Sequence, residues 1–368
     1  MRILLSVFIL AIFYTGISNA QPFAYVGDGS NLSVIDTSTM MVVGSPISIE
    51  NTANQMAITP DGSRMYVTGN KVTEVDTETN MVIGSPIDVG QNSSAIAITP
   101  DGSRAYIVAE NPEGSDRVFV LDTSTNMLVG GPIDLNEALL GQLAITPDGS
   151  RVYVALFGGS DVAVIDTATN MVTEPQIEVA EQPFGIAITP DGSRVYVTNF
   201  NAEHISIIDA ATNMVIDTSI EVVAFSQYMT ITPDGKSLYV TNVNTDTVTV
   251  IDIDTNMVVG NPIPVGEGQQ VGIAVTPDGN NVYVANLNGR SVSVIDTATN
   301  TTIDPAIDLS GLAGFIVIGP SSISPGPDGG GRSSDGSNSC SLASSGTSPR
   351  SLLTFLIIPA FILIRRFW

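Results

Sequence analysis

The chain has 368 residues, with 37 Asp and Glu against 13 Lys and Arg, so its net charge at pH 7 is −24. Such an acidic protein repels polyphosphate, and nucleic-acid binding would need a basic stripe that this sequence lacks. Cys340 is the single cysteine, which excludes an internal disulfide and leaves stability to packing. The acidity is best interpreted as solubility for an exported protein.

The first 20 residues have the layout of a secretory signal peptide. Arg2 precedes an apolar run over residues 3–13, and small residues end the segment at Ala20. We therefore expect cleavage after Ala20 and export of the rest of the chain. An uncleaved membrane anchor is the alternative, disfavoured because the apolar run is short for a spanning helix.

Residues 21–320 are copies of one unit. The sequence TPDG recurs, and its prolines are 40 to 47 residues apart, a period typical of propeller blades rather than of helical solenoids. Its threonines are Thr59, Thr99, Thr146, Thr189, Thr232 and Thr276. Each unit has four short segments rich in Val, Ile and Tyr with partial alternation, which predicts four strands and an all-β fold.

The number of units follows from two markers that recur along the chain. A tyrosine in the second strand and an aspartate at the end of the third each occur seven times. The tyrosines are Tyr25, Tyr66, Tyr106, Tyr153, Tyr196, Tyr239 and Tyr283. The chain enters the repeat on a second strand and leaves it on a first strand over residues 315–320. The sequence therefore predicts a seven-bladed β-propeller of four-stranded blades, closed when this C-terminal strand joins three N-terminal strands.

The two hairpins of each unit predict how the ring is divided into faces. TPDG joins the first two strands, and the sequence DTxTN joins the last two, so both hairpins lie on one face, and the loops of the opposite face vary. We also expect the methionines after DTxTN to fill gaps between blades. These are Met81, Met127, Met171, Met214 and Met257.

The composition changes after the repeat. Residues 321–350 are rich in Ser, Gly and Pro, which predicts a flexible linker. Residues 351–368 form a short apolar run with a basic, aromatic end, which resembles bacterial C-terminal sorting signals and is the expected site of membrane contact. Cys340 is a candidate processing or attachment position, and a spectator thiol is the alternative. A eukaryotic glycolipid-anchor signal is disfavoured by the basic end.

We expect binding on the variable-loop face, because the sheets hold loops in place while the loop sequences are free to differ. Ordinary loop drift is the alternative. The candidate binding residues are Glu110, Arg117, Phe157, Phe200, His204, Tyr228 and Arg290. His204 is the only histidine of the ring, and nothing accompanies it to form a zinc site. Calcium at Asp252 and Asp254 is a second hypothesis, but aspartates repeated in every unit are better explained as turn caps.

The strings Tyr196-Val197-Thr198-Asn199 and Tyr239-Val240-Thr241-Asn242 resemble the YVTN family of β-propeller repeat proteins over about residues 22–320. The resemblance implies the propeller fold and an exported or surface location. Related propellers include lactonase-like and quinoprotein-like enzymes, so it implies no single activity.

Two classes of function remain open. The first is an exported, monomeric binding or protein-interaction module without a cofactor. The second is a periplasmic or extracellular enzyme, lactonase-like or quinoprotein-like, with a site at the mouth of the central channel. The shortage of histidines and of asymmetric carboxylate clusters favours the first.

Overall fold

The structure, a computed structural model, describes residues 22–319 except 111–115, 138 and 224. Within these residues it contains 29 strands and no helix. The strands form seven antiparallel sheets arranged as the blades of a propeller, and the innermost strands contact each other around the axis. The predicted all-β, seven-bladed fold is confirmed.

In each of the first four blades, four strands follow one another from the axis to the rim. Blade 1 contains β29 (Ile316–Ile318), β1 (Phe23–Asp28), β2 (Asn31–Asp36) and β3 (Met41–Ser48). Blade 2 contains β4 (Met56–Ile58), β5 (Arg64–Val67), β6 (Val72–Asp76) and β7 (Met81–Ile87). Blade 3 contains β8 (Gln91–Ile98), β9 (Arg104–Glu110), β10 (Asp116–Asp122) and β11 (Met127–Leu128). Blade 4 contains β12 (Leu143–Ile145), β13 (Arg151–Leu156), β14 (Asp161–Asp166) and β15 (Met171–Glu178).

The remaining blades follow the same plan. Blade 5 contains β16 (Pro183–Ile188), β17 (Arg194–Asn199), β18 (His204–Asp209) and β19 (Met214–Glu221). Blade 6 contains β20 (Ser226–Ile231), β21 (Ser237–Asn242) and β22 (Thr247–Asp252), and the rim is shared by β23 (Met257–Val258) and β24 (Ile263–Pro264). Blade 7 contains β25 (Gln270–Val275), β26 (Asn281–Asn286), β27 (Ser291–Asp296) and β28 (Thr301–Asp308).

Both ends of the ring meet in blade 1. Strand β29 pairs antiparallel with β1, with Tyr25 opposite Val317. The pairing continues beyond β29, where the Gly27 amide donates to the Phe315 carbonyl over 2.9 Å. The predicted closure is therefore confirmed, and it leaves no open inner edge in this blade.

The TPDG turns are held by their own side chains. The Thr59 hydroxyl donates to Asp61 Oδ1 over 2.5 Å, and the Ser63 amide donates to the same oxygen over 3.0 Å. These hydrogen bonds hold the pKa of Asp61 below its ordinary value of 3.8. Gly102, the turn glycine of blade 3, has φ of +73°, and a Cβ there would lie 3.3 Å from the ring of Pro60 in blade 2. The turns of adjacent blades therefore contact each other around the ring.

The two hairpins of a blade are also joined to each other. In blade 4 the Thr167 hydroxyl, from DTxTN, donates to the carbonyl of Gly149, from TPDG, over 2.6 Å. Equivalent bonds occur in other blades, such as Thr297 to Gly279 over 2.7 Å in blade 7. Both hairpins therefore lie on one face, as predicted.

Adjacent blades are joined by a repeated hydrogen bond from a buried tyrosine. Each second-strand tyrosine is at most 2% exposed. In six blades its hydroxyl donates to Oδ1 of the asparagine that ends the last hairpin of the next blade, which is DTxTN except for DAATN in blade 5 and DIDTN in blade 6. This asparagine has φ near +55°. The pairs are Tyr25–Asn80, Tyr66–Asn126, Tyr106–Asn170, Tyr153–Asn213, Tyr196–Asn256 and Tyr239–Asn300, with oxygen–oxygen distances of 2.6 to 3.2 Å.

The seventh contact, from blade 7 to blade 1, departs from this pattern. Met40 stands where the other hairpins have asparagine, and it holds φ of +55°. The Tyr283 hydroxyl therefore donates only to the Thr37 carbonyl, over 3.2 Å. A non-glycine residue at positive φ costs about 1–2 kcal/mol, and asparagine tolerates this region better than methionine does.

The methionines after DTxTN do not fill gaps between blades, so that expectation was wrong. Met81, Met127, Met171, Met214 and Met257 are 66 to 68% exposed. They begin the rim strands, and the blades diverge with distance from the axis, so little packs against a side chain at this position. The cores between blades are instead built from the central strands, as with Ile107 and Ala109 against Tyr66.

Deletion of residues 314–320 in the full chain should remove the closing strand and lower the melting temperature by more than about 10 °C. The reason is that β1 loses its inner partner, and Ala24 and Val26 lose the packing of Ile316 against them. The measurement is thermal unfolding followed by circular dichroism. Deletion of seven residues from the predicted linker, 321–327, is the length-matched control, and equal melting of both variants would contradict closure by β29.

Met40→Asn should raise the free energy of unfolding by about 1 kcal/mol, because asparagine accepts positive φ and offers an acceptor to the Tyr283 hydroxyl. The reverse change in a regular blade, Asn80→Met, should lower it by about 1–2 kcal/mol. Urea unfolding measures both. A less stable Met40→Asn would mean that the packing of the Met40 side chain outweighs the missing hydrogen bond.

Candidate functional site

A cavity of about 120 Å³ lies on the axis, enclosed by the innermost strands. Six blades line the cavity with the residue four positions before the TPDG threonine, or before Gly319, the blade 1 equivalent, and blade 3 has Ala95 at this position. Around the ring from blade 1 these residues are Phe315, Gln55, Ala95, Gln142, Gly185, Tyr228 and Gly272. Large and small residues largely alternate, because seven large side chains would not fit around so narrow an axis.

The large side chains meet in two pairs across the small ones. Gln55 Nε2 donates to Gln142 Oε1 over 2.5 Å, from blade 2 to blade 4, and Gln55 Oε1 accepts from the Ile96 amide over 2.6 Å. Tyr228 contacts Phe315 at 5.2 Å between ring centroids, across Gly272. A Cβ on Gly272 would lie 2.8 Å from the Ile316 nitrogen, so this position requires glycine.

The Tyr228–Phe315 pair belongs to a continuous series of six aromatic rings, which we call the aromatic chain. It runs from the loops of blades 4 and 5 and the connection into blade 6 down to the axis. The contacts are Phe225–Phe200, Phe200–Phe157, Phe157–Phe184, Phe184–Tyr228 and Tyr228–Phe315, all edge-to-face, with centroids 5.1 to 5.9 Å apart. Edge-to-face pairs of this kind are favourable and hold the rings in a defined arrangement.

The aromatic chain is partly accessible at the channel mouth. Phe157 is buried, and the other five rings are half-buried. The Tyr228 hydroxyl donates to no group among the described residues. Burial raises the pKa of this phenol, so it stays protonated at neutral pH and remains a hydrogen-bond donor. The mouth therefore offers apolar ring edges, one hydroxyl and the Gln55–Gln142 carboxamide pair.

The structure brings together three of the seven candidate binding residues. Phe157, Phe200 and Tyr228 belong to the aromatic chain. Glu110 and Arg117 lie in blade 3, where Glu110 accepts from Asn92 over 2.8 Å and Arg117 forms an ion pair with Asp134.

The remaining two candidates are not members of the aromatic chain. His204 begins β18 opposite Glu221. Arg290 is exposed in the loop before β27, with φ of +51°.

Sequence reasoning missed Phe184, Phe315 and the two glutamines as members of this site. The signal for them was the comparison of copies at the fourth and fifth positions before the TPDG threonine, which are small in some blades and bulky in others. That signal identifies side chains that point to the axis, but only the ring geometry shows which of them meet.

In the described part of the ring, no three or more His, Cys, Asp or Glu side chains group closely enough to hold a metal ion. Asp252 Oδ1 accepts from the Thr255 amide and hydroxyl over 2.8 and 2.7 Å, as in the other hairpins. Its carboxylate therefore caps a turn.

A second cavity, of about 440 Å³, lies away from the axis between blades 2 and 3. Its wall includes Glu74, a buried carboxylate where the aligned residue of every other unit is Val or Ile. Glu74 pairs with Arg64 over 2.9 Å and accepts from Asn126 over 2.6 Å. The carboxylate of Glu74 is therefore paired and hydrogen-bonded within the protein.

On the variable-loop face, the carboxylate of Asp161 has a raised pKa. Asp161 begins β14, beside the loop that carries Phe157. Burial raises the pKa of Asp161, and the nearby carboxylates of Glu178 and Glu137 raise it further. Farther along the same strand, hydrogen bonds from Thr169 hold the pKa of Asp166 below its ordinary value.

The predicted segments at the two ends lie outside the described residues. They are the signal peptide with Ala20, the linker over 321–350 with Cys340, and the apolar segment over 351–368. Among the residues that the structure describes, none belongs to a helix of the length and apolarity that a membrane crossing requires.

No protein-family model and no curated protein match this chain, so the YVTN resemblance and the sorting-signal resemblance stay predictions. Solved propellers do match. A functionally unknown protein from Desulfotomaculum acetoxidans is 17% identical, with a TM-score of 0.69 over 83% of this chain and 99% of that one. The periplasmic gluconolactonase of Pseudomonas aeruginosa is 14% identical, with a TM-score of 0.67 over 81% and 99%.

A putative 6-phosphogluconolactonase from Bacteroides fragilis is also similar, at 17% identity and a TM-score of 0.65 over 82% of this chain and 99% of that one. At these identities the similarity shows the fold alone. The chain is thus a seven-bladed propeller with lactonase-like proteins among its structural neighbours.

Asp161→Asn should raise the melting temperature at pH 7. A raised pKa means that Asp161 favours the folded state when protonated, at pH below 3.8, and loses that contribution as the pH rises through the folded-state pKa. The gain should therefore vanish below about pH 3.8, where wild type is also neutral. Asp166→Asn is the control of opposite sign and should lower the melting temperature at pH 7. Thermal unfolding from pH 3 to 8 measures both, and a gain by Asp161→Asn that persists at pH 3 would contradict the charge argument.

Proposed function

We propose that this protein is an exported β-propeller that acts as a binding module, with its site at the channel mouth on the variable-loop face. The aromatic chain is the observation that carries the proposal. It joins residues of four blades. In blades 4 and 5 it includes phenylalanines that lie in loops whose sequence differs from blade to blade, whereas the hairpins of the opposite face repeat with few changes. Loops on a rigid scaffold are the usual position of binding residues.

The chemistry of the mouth fits an uncharged ligand with a flat apolar face. Half-buried rings supply contact area at low entropic cost, and a few polar groups then fix the orientation. Here those groups are the Tyr228 hydroxyl and the Gln55–Gln142 pair, and the residues around the axial cavity include no charged side chain. The ligand is a free small molecule or the side chain of a protein partner.

Export is part of the proposal. It is supported by the signal-like sequence that ends at Ala20 and by the basic, apolar C-terminal segment, which resembles a sorting signal. One structural neighbour, the gluconolactonase of Pseudomonas aeruginosa, is a periplasmic protein. In this arrangement the linker over 321–350 would display a monomeric ring outside the cytoplasm.

A lactonase-like enzyme is the alternative, favoured by two structural neighbours that are described as lactonases. Quinoprotein-like chemistry, the other enzymatic possibility, has no comparable support. At the axial cavity a proton-transfer role would fall to Tyr228, whose raised pKa makes it a donor rather than a general base at neutral pH.

Binding of the neutral fluorescent probe N-phenyl-1-naphthylamine to the full chain should depend on the aromatic chain. Phe200→Ala and Tyr228→Ala should each weaken probe binding about tenfold, which corresponds to roughly 1.4 kcal/mol of lost contact. Met171→Ala removes an exposed apolar side chain at the rim and should leave the affinity unchanged.

Equal probe affinity in all three variants would contradict a site at the channel mouth. The same preparations should be assayed for hydrolysis of glucono-δ-lactone. Turnover above the buffer rate that disappears in Tyr228→Phe would establish the enzymatic alternative instead.

A further inference from the structure

The amide nitrogen of Gln270 lies among three oxygens. Gln270 begins β25 on the variable-loop face, and its side chain is fully buried. Its Nε2 contacts Asp246 Oδ1 at 3.0 Å, the Gly266 carbonyl at 3.2 Å and the Gly268 carbonyl. A carboxamide nitrogen carries two hydrogens, so it cannot donate a separate hydrogen bond to each of three acceptors.

Two oxygens nearby lack a hydrogen-bond donor. Gln270 Oε1 and Asn286 Oδ1 are buried and accept no hydrogen bond from the described residues. The two residues are opposite each other in the pairing of β25 with β26, so their side chains project from the same side of the sheet. Asn286 uses its own nitrogen to donate to Ser293 Oγ over 3.0 Å, which leaves its oxygen unsatisfied. A buried acceptor without a donor is costly.

Blade 6 shows how a side chain at this position can reach that oxygen. There Ser226 occupies the position of Gln270, and its hydroxyl lies 3.0 Å from Asn242 Oδ1 and 2.7 Å from the Val223 carbonyl, either of which can accept its one hydrogen. In blade 5 the same position is Pro183, which has no side-chain donor, and Asn199 Oδ1 is again unsatisfied. A side chain at this position therefore reaches the asparagine oxygen, and Gln270 would serve if its nitrogen pointed that way.

Rotation of the Gln270 carboxamide by 180° exchanges its oxygen and nitrogen at almost no steric cost. Nε2 then faces the side of Asn286, as Ser226 does for Asn242. Oε1 then joins Asp246 Oδ1 and the carbonyls of Gly266 and Gly268, so that four oxygens converge. Four acceptors repel one another unless a cation lies between them.

We propose that these four oxygens form a calcium site between blades 6 and 7, distinct from the channel mouth. Carboxylate, amide and backbone oxygens are the ligands that Ca²⁺ prefers, and the glycine-containing loop 265–269 supplies two of them. Asp246 comes from the loop between β21 and β22, so the ion would join the two blades. One carboxylate among neutral ligands gives weak binding, with Kd of about 10⁻⁴–10⁻³ M, as in extracellular calcium modules.

Thermal unfolding of the full chain, first in EDTA and then in 10 mM CaCl₂ or MgCl₂, tests the proposal. Calcium should raise the melting temperature by roughly 2–4 °C, since an ion that binds only the folded state stabilises it by mass action. Magnesium should act less, because it demands a stricter octahedral geometry. The absence of a calcium shift in wild type would overturn the proposal.

Substitutions test whether the calcium-dependent shift in melting temperature arises at this site. Asp246→Asn should abolish the calcium shift, whereas Asp254→Asn, at an exposed position in the same blade, should retain it. Gln270→Glu should melt below wild type in EDTA, because the second carboxylate repels the other three oxygens when no ion is present. It should also show at least twice the calcium shift, because the second carboxylate binds the ion when it is present. A calcium shift that survives in Asp246→Asn, or one that does not grow in Gln270→Glu, would overturn the proposal.

Discussion

The hydrogen bond from a buried tyrosine to the asparagine of the next blade is the constraint on which the ring depends. A phenol buried to this degree must find an acceptor, and in six of the seven contacts the neighbouring hairpin offers Oδ1 of an asparagine at positive φ. Where Met40 replaces the asparagine, a backbone carbonyl of the same hairpin accepts instead. The bond also sets the position of each blade relative to the next, and the TPDG turns lie on the same face.

Because the repeated contacts are concentrated on one face, the opposite face is free to diverge without loss of stability. That freedom accounts for the aromatic chain, which enters through loops and strand starts of blades 4, 5 and 6 and reaches blade 1 through Phe315. The axis imposes its own limit, since seven inner strands leave room for only a few large side chains. Gly272 and Ala95 are small so that the rings and the glutamines can meet across them.

Much of the fold was predictable because the information is local and repeated. The period of the TPDG turns, the seven tyrosines and the fragment of first strand before Pro320 predict blade number and closure without knowledge of any distant contact. The site was predictable only in part. Phe157, Phe200 and Tyr228 stand out as aromatic residues in variable segments, but their contacts with Phe184 and Phe315 depend on how four blades converge. The exposure of Met81 and its equivalents was missed for a related reason, since strand pattern does not reveal how far apart neighbouring sheets are at the rim.

Those rim methionines give the surface a chemical property that the core does not share. A thioether in open contact with solvent is oxidised readily to the sulfoxide, and an oxidant would meet Met81, Met127, Met171, Met214 and Met257 before it reached the packed sheets. Conversion of each would add a polar oxygen where no packing is lost. The same reaction on a buried methionine would disrupt its packing. The methionines most accessible to an oxidant therefore lie where oxidation removes the least stability.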